Sequence, residues 1–164
     1  MGLDQYLRVS KNFGSYINDT ESASYDAIMA AAGLDKIGNS NSKYVTVEVT
    51  ALYWRKANAI HGWFVNELAG GEDECQVIPV TRENITTLRD LCVDAMSVPA
   101  GMSLDTHART VLPPSDGFFF GGSEIDDYYI QDLKDTIEGI DRILEELPET
   151  GESWDWSLTY QASW

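Results

Sequence analysis

The sequence predicts an α+β domain, a mostly antiparallel sheet of about four strands with about four helices packed mainly on one face. Segments 3–10 and 43–53 alternate apolar and polar residues with the period of a strand. Between and after them, apolar residues recur every three to four positions, the period of a helix packed on one side. A last run, Trp154 to Trp164, alternates aromatic and polar residues again. With 164 residues, 43% of them apolar, the chain is expected to form a single domain, 1–164, with its own core.

In order, Leu3, Gln5, Leu7 and Val9 oppose Asp4, Tyr6, Arg8 and Ser10, which makes a half-buried first strand. Asn12 to Asn18 reads as a turn, after which Asp19 or Thr20 N-caps a helix carrying Tyr25, Ile28, Met29 and Ala32 and ending at Gly33. Gly38 to Ser42 is a loop. From Lys43 to Tyr53, Val45, Val47 and Val49 alternate with Thr46, Glu48 and Thr50, the clearest strand signature present. Trp54 to Ala69 reads as a helix with Ile60, Trp63, Phe64 and Leu68 on its apolar stripe, stopped by Gly70-Gly71. Cys75 to Val80 contains Pro79 and reads as an edge strand, because proline cannot donate to a ladder.

Thr81 opens the next helix with the hydroxyl of a capping box, although Asn84 stands where Glu or Gln is usual. Ile85, Leu88, Leu91, Cys92 and Ala95 are its buried face, and Pro99 to Gly101 ends it. The stretch at about 100–122, with Pro113, Pro114 and several glycines, reads as a long loop and so as a candidate working surface. A helix at about 125–147 follows, with Tyr129, Leu133, Ile137, Ile140, Leu144 and Leu147 on one stripe. Within Asp116 to Glu124, Phe118 and Phe120 are expected to anchor in the core and Ser123 to cap this helix. Tyr160 and Trp164 are expected to be buried, with the last strand beside one of the first two.

Charge is unevenly placed. The formal net charge is −16, and thirteen carboxylates against two bases, Lys134 and Arg142, put −11 of it between Asp116 and Asp155. The first 71 residues, by contrast, hold seven acids and six bases. Such a surface repels nucleic acid, anionic membranes and phosphorylated substrates, and attracts the basic grooves with which other proteins hold nucleic acid. On the C-terminal helix, Asp127, Asp135, Glu138, Asp141, Glu145 and Glu146 form a ridge with which the chain would engage a basic, nucleic-acid-binding protein, binding no nucleic acid itself. A homodimer is left open.

No signal-peptide pattern and no apolar run of about 18 residues is present, so a soluble, cytoplasmic protein with no membrane partner is expected. Cys75 and Cys92 lie far apart and without a C-x-x-C pair, as suits two reduced thiols, and together with His61 and His107 they lack the close spacing of zinc ligands. No metal or cofactor is expected. Motifs of serine hydrolases, zinc peptidases, dinucleotide enzymes and kinases are missing too, so no catalytic residue is assigned.

One cluster offers an alternative to the ridge. In W-R-K-A-N-A-I-H, helical spacing puts Trp54, Asn58 and His61 on one face, with Arg55 and Lys56 at the helix start. Cations are unfavourable there unless an anion offsets them. Arg55, Lys56, Asn58 and His61, with Trp54 or Phe119 stacking on a base, would hold a nucleotide; paired instead with the acidic half of the chain, the cations would be structural.

These blocks also carry a resemblance. The start M-G-L-D-x-Y-L (Met1 to Leu7), the W-R-K-A-N-x-I-H-x-W-F block (Trp54 to Phe64), G-F-F-F-G (Gly117 to Gly121), D-x-Y-x-x-D-L-x-x-T within Asp126 to Thr136, and the end Y-x-x-S-W (Tyr160 to Trp164) resemble a widespread family of small tailed-bacteriophage proteins. The resemblance implies one domain, expression in a host bacterial cytoplasm and no particular reaction. With the acidity it points to an inhibitor of a host defence protein that mimics nucleic acid without catalysis, for example against restriction or CRISPR effectors. The alternative is a binder, sponge or hydrolase of a nucleotide immune signal.

Overall fold

The structure is a computed structural model that describes residues 2–15, 18–38, 44–147 and 155–164. Its elements are β1 (Asp4–Gly14), α1 (Asp19–Ala31), β2 (Tyr44–Arg55), α2 (Asn58–Trp63) running on into a π-helical turn (Phe64–Leu68), β3 (Ile78–Val80), α3 (Arg82–Met96), α4 (Leu104–Val111), α5 (Asp127–Glu146) and β4 (Trp156–Ser163). The strands form one antiparallel sheet in the order β2-β1-β4-β3. The predicted α+β class holds, with five helices among the described residues rather than four.

Alternation in the N-terminal segment sets the layers. Gln5, Leu7 and Val9 of β1 are buried, and Leu7 and Val9, with Tyr160 and Leu158 of β4 and Val80 of β3, meet Ile60, Phe64, Ile85, Leu88, Leu133 and Ile140 of the helices in one core. The opposite face of β1 carries a polar ladder: Arg8 donates to Gln161 at 3.0 Å, Ser10 meets Ser157 at 2.6 Å and Thr46 donates to Asn12 at 2.6 Å. The helices that build this core, α2 with its π-helical turn, α3 and α5, therefore serve one side of the sheet. β3 pairs with β4 alone, so Pro79 sits on an edge strand as its missing N–H requires. At the other edge the helices cover only the C-terminal part of β2, leaving Val47 and Val49 exposed despite their regular alternation.

Gly139 sets how closely α5 approaches β2. A Cβ at that position would overlap the Leu52 side chain, so glycine lets the two backbones come together. Trp54 Nε1 donates to Thr136 Oγ1 at 2.8 Å across the same contact.

Several expectations are corrected. Trp54 and Arg55 end β2 and do not begin a helix; the chain turns at Lys56, whose φ of 63° is left-handed, and α2 starts only at Asn58. Sequence signals for that turn are missing because no glycine or proline marks it. The stretch 100–122 is not one loop: Ser103 accepts a hydrogen bond from Thr106 N and caps α4 inside it. Asn84 completes the capping box, its Oδ1 accepting from Thr81 N at 2.9 Å, so a shorter amide does the work of Glu. Asp126, not Ser123, caps α5, accepting from Tyr128 N and Tyr129 N. Phe120 is buried as expected, but Phe118 is 96% exposed, because residues 117–120 turn rather than extend.

Other differences are smaller. β1 runs to Gly14 through the predicted turn, α1 is capped by Asn18, and of its four apolar residues only Met29 is buried. β4 lies beside β1 with Tyr160 in the core, but Trp164 is 42% exposed; it rests edge-on against Phe120 and donates to Asp73 at 3.3 Å. Residues 39–43 of the predicted loop, and Trp154, Glu149 and Glu152, fall outside the described residues.

Candidate functional site

Where β2 turns into α2, a cavity of about 380 Å³ opens against the N-terminal half of α5. One wall is Arg55, Lys56 and Asn58; the other is Asp126, Tyr128, Asp132 and Leu133, with Gly121, Gly122 and Glu124 at the rim. The turn builds the first wall. Lys56 N donates to Leu3 O at 2.8 Å, and Asn58 N donates to Lys56 O at 2.8 Å, which holds the left-handed conformation in place. For a residue with a Cβ this conformation costs about 1–2 kcal/mol, and such strain gathers at functional sites. Asn58 Nδ2 donates to Gly122 O at 2.7 Å and to Phe120 O at 3.4 Å, tying the 117–122 segment to α2. Gly121, at φ 95°, then lies against the Lys56 side chain.

The two cations make no ion pair among the described residues. Arg55 and Lys56 are exposed, and neither makes an ion pair or a side-chain hydrogen bond among the described residues. Among the described residues, then, neither cation pairs with the acidic half.

Across the cavity, Asp132 is half-buried and its carboxylate makes no hydrogen bond among the described residues; only its carbonyl is used, by Thr136 Oγ1 at 2.6 Å. Burial, and then the charges of Asp135 and Asp126, raise its carboxyl to about 7. Asp126 differs, because two backbone N–H groups at the start of α5 hold its carboxylate. Tyr129 points inward, donating to Leu112 O at 2.8 Å, and burial pushes its phenol up. Tyr128 stands at the rim, 82% exposed. The site thus has a cationic wall, an acidic wall and an exposed ring.

The other residues of the predicted cluster are not in it. Trp54 is 4% exposed and bound to Thr136, so it cannot stack on a ligand. His61 is 1% exposed, its Nδ1 2.8 Å from Tyr160 Oη and its Nε2 2.9 Å from Asp73 Oδ2. Tyr160 Oη in turn donates to Gln5 Oε1 at 3.1 Å and its ring stacks on Phe64, so this chain of hydrogen bonds is a satisfied polar core. Phe119 is half-buried, and its carbonyl accepts from Leu3 N outside the cavity. Sequence reasoning missed Asp132 and Tyr128 as site residues, although both lie in the D-x-Y-x-x-D-L stretch.

On the acidic ridge, Asp127, Asp135, Glu138, Glu145 and Glu146 are exposed, whereas Asp141 is paired with Arg89 at 2.9 Å. Lys134 and Arg142 share the surface, lining a shallow groove with Glu138, Asp141 and Glu145, and Arg142 reaches Ala51 O at 3.2 Å. Among the described residues no three His, Cys, Asp or Glu side chains gather to hold a metal ion, and no helix is long and apolar enough to cross a membrane.

No family model, no curated protein and no solved structure matches the chain.

Proposed function

We propose that the chain binds a small phosphorylated molecule of the nucleotide class in the cavity between the end of β2 and α5. One observation carries this reading: in a chain with 27 carboxylates, Arg55 and Lys56 line a cavity and make no ion pair among the described residues. Two adjacent cations in a concave site are suited to an anionic group, and a cavity of about 380 Å³ falls within the range of small-molecule sites. The acidic wall opposite requires the rest of the ligand to offer donors or positive charge. With the bacteriophage resemblance, the reading becomes a protein that sequesters or hydrolyses a nucleotide immune signal in the host cytoplasm.

The test is thermal shift against nucleoside mono- and triphosphates and cyclic nucleotides. Ligand at a hundredfold over its Kd stabilises the fold by about 2.7 kcal/mol, several degrees for a domain of this size. The Arg55→Ala/Lys56→Ala double variant is expected to lose the shift while melting normally alone. No shift with any compound refutes the reading.

A second reading, inhibition of a basic nucleic-acid-binding host protein by mimicry, is favoured by five exposed ridge carboxylates without ion pairs among the described residues, presented on one rigid helix. Asp127, Glu138 and Glu145 project from nearly one line, separated by about 16 and 10 Å at 1.5 Å per residue. That is sparser than the charge on a DNA strand, one per about 3.4 Å of axis. Mimicry predicts a partner from bacterial lysate released steeply by salt and lost when Glu138, Glu145 and Glu146 become lysine. Retention at high salt by that variant excludes it.

A further inference from the structure

We propose that the cavity reads guanine: the Asp132 carboxylate accepts the two adjacent N–H donors of the base edge, Tyr128 covers the ring, and Arg55 and Lys56 take the phosphate. This rests on the cavity being the ligand site and adds which ligand it selects.

The side chain of Asp132 is left without a polar partner among the described residues. Its carboxylate lines the cavity and has no hydrogen-bond donor among the described residues, while Asp126 has one oxygen, Oδ1, held by two backbone N–H groups. A carboxylate offers two acceptor oxygens in a fork and no donor. Guanine presents N1–H and N2–H side by side, which fills that fork with two parallel charge-assisted bonds. Adenine and cytosine put an acceptor next to their amino group, and uracil flanks its single N–H with carbonyls, so each would turn a lone pair toward the carboxylate. Tyr128, at the rim and unconstrained by packing, supplies the flat surface that any base stacks on. The cations at the far wall match the other end of a nucleotide, and the bipolar lining is explained by one bipolar ligand.

The protonation of Asp132 gives this reading a signature. Its carboxyl sits at about 7 in the free protein. The charged groups facing it are Asp126 and Asp135 on α5, Glu124 in the preceding segment, and Arg55 and Lys56 across the cavity, with the phenols of Tyr128 and Tyr129 beside it. Two donors on the carboxylate favour its ionised form, so guanine binding expels a proton when the pH is below about 7. Affinity for guanine should climb about tenfold between pH 6 and pH 8. Adenine gains nothing from ionisation of Asp132. The phosphate of either nucleotide titrates alike, so the ratio of the two affinities isolates the aspartate.

The experiment is calorimetric titration of the full chain with guanosine and adenosine 5′-monophosphates at pH 6, 7 and 8, repeated on Asp132→Asn, Tyr128→Ala and Arg55→Ala/Lys56→Ala. Guanosine monophosphate is expected to bind at least about tenfold tighter than the adenosine compound at pH 8, with the ratio shrinking toward pH 6. Asp132→Asn should erase both the preference and its pH dependence and leave adenosine monophosphate binding in place. Tyr128→Ala, at an exposed side chain that folding does not need, should weaken both nucleotides about tenfold. Equal affinities at every pH, or a preference that survives Asp132→Asn, overturn the guanine assignment; if Arg55→Ala/Lys56→Ala still weakens both nucleotides, the cavity reading stands alone. Absence of binding by either nucleotide overturns both.

Discussion

The same helix, α5, supplies one wall of the cavity and the whole acidic ridge, and the two regions treat charge in opposite ways. On the ridge, most of the carboxylates are solvated, and cations stand among them: Arg89 holds Asp141, while Lys134 and Arg142 line a shallow groove with Glu138 and Glu145. In the cavity, Arg55 and Lys56 have no ion pair and Asp132 has no donor among the described residues. The ridge carries more charge, most of it solvated and without an ion pair among the described residues, whereas the cavity sets opposite charges across a confined space. What marks a site is charge left unmet in a concave place, which density along the sequence does not reveal.

The largest effect is expected where the two regions depend on each other. Gly139→Val pushes α5 away from Leu52, which should cost about 1–3 kcal/mol and lower Tm by several degrees. Cavity and ridge are then disturbed together, and calorimetric melting checks it.

Asp132→Asn separates them. Its carboxyl is raised from 3.8 to about 7, so the unfolded chain gives up that proton first, and the folded state loses stability as pH rises from about 4 through about 7. Removing the charge should therefore raise Tm by a few degrees at pH 8, and the gain should vanish near pH 4. A gain constant with pH would show that desolvation of the carboxylate is not its source.

Lys56→Gly sharpens the comparison from the cationic side. Glycine relieves the left-handed strain at φ 63° but adds freedom to the unfolded chain, leaving a net gain of about 0–1 kcal/mol. Tm should hold or rise slightly while ligand affinity falls, the opposite trend to a residue kept for packing. The smallest effect belongs to the ridge: Glu138→Lys/Glu145→Lys/Glu146→Lys should change stability by no more than about 0.5 kcal/mol per site, since these side chains are solvated.

Much of the fold was legible because β1 and β4 bury alternate residues on one face and α5 buries Tyr129, Leu133 and Ile140 along one stripe. Pro79 marked its edge strand for a reason local to its own backbone. The turn at Lys56 was not legible, because W-R-K-A-N carries no breaker and its left-handed residue is imposed by Leu3 O and Asn58 N, more than fifty residues and two residues away. α4 was hidden by the prolines and glycines around it, although Ser103 three residues before Thr106 was a cap signal within reach. The site was half legible. Arg55, Lys56 and Asn58 were found as a local cluster, but helical spacing wrongly enlisted Trp54 and His61, which tertiary packing buries. Asp132 lies one position off the solvated face of α5, and only the approach of β2 makes it a cavity residue.

The central claim is that ligand chemistry belongs to the cavity and not to the ridge, and backbone amide chemical-shift mapping during titration with guanosine 5′-monophosphate tests it directly. The account predicts saturable shifts confined to 55–60, 121–124 and 126–133, with the outer-face residues Glu138, Glu145 and Glu146 unmoved. Shifts centred on those ridge residues, or none at saturating nucleotide, would contradict it.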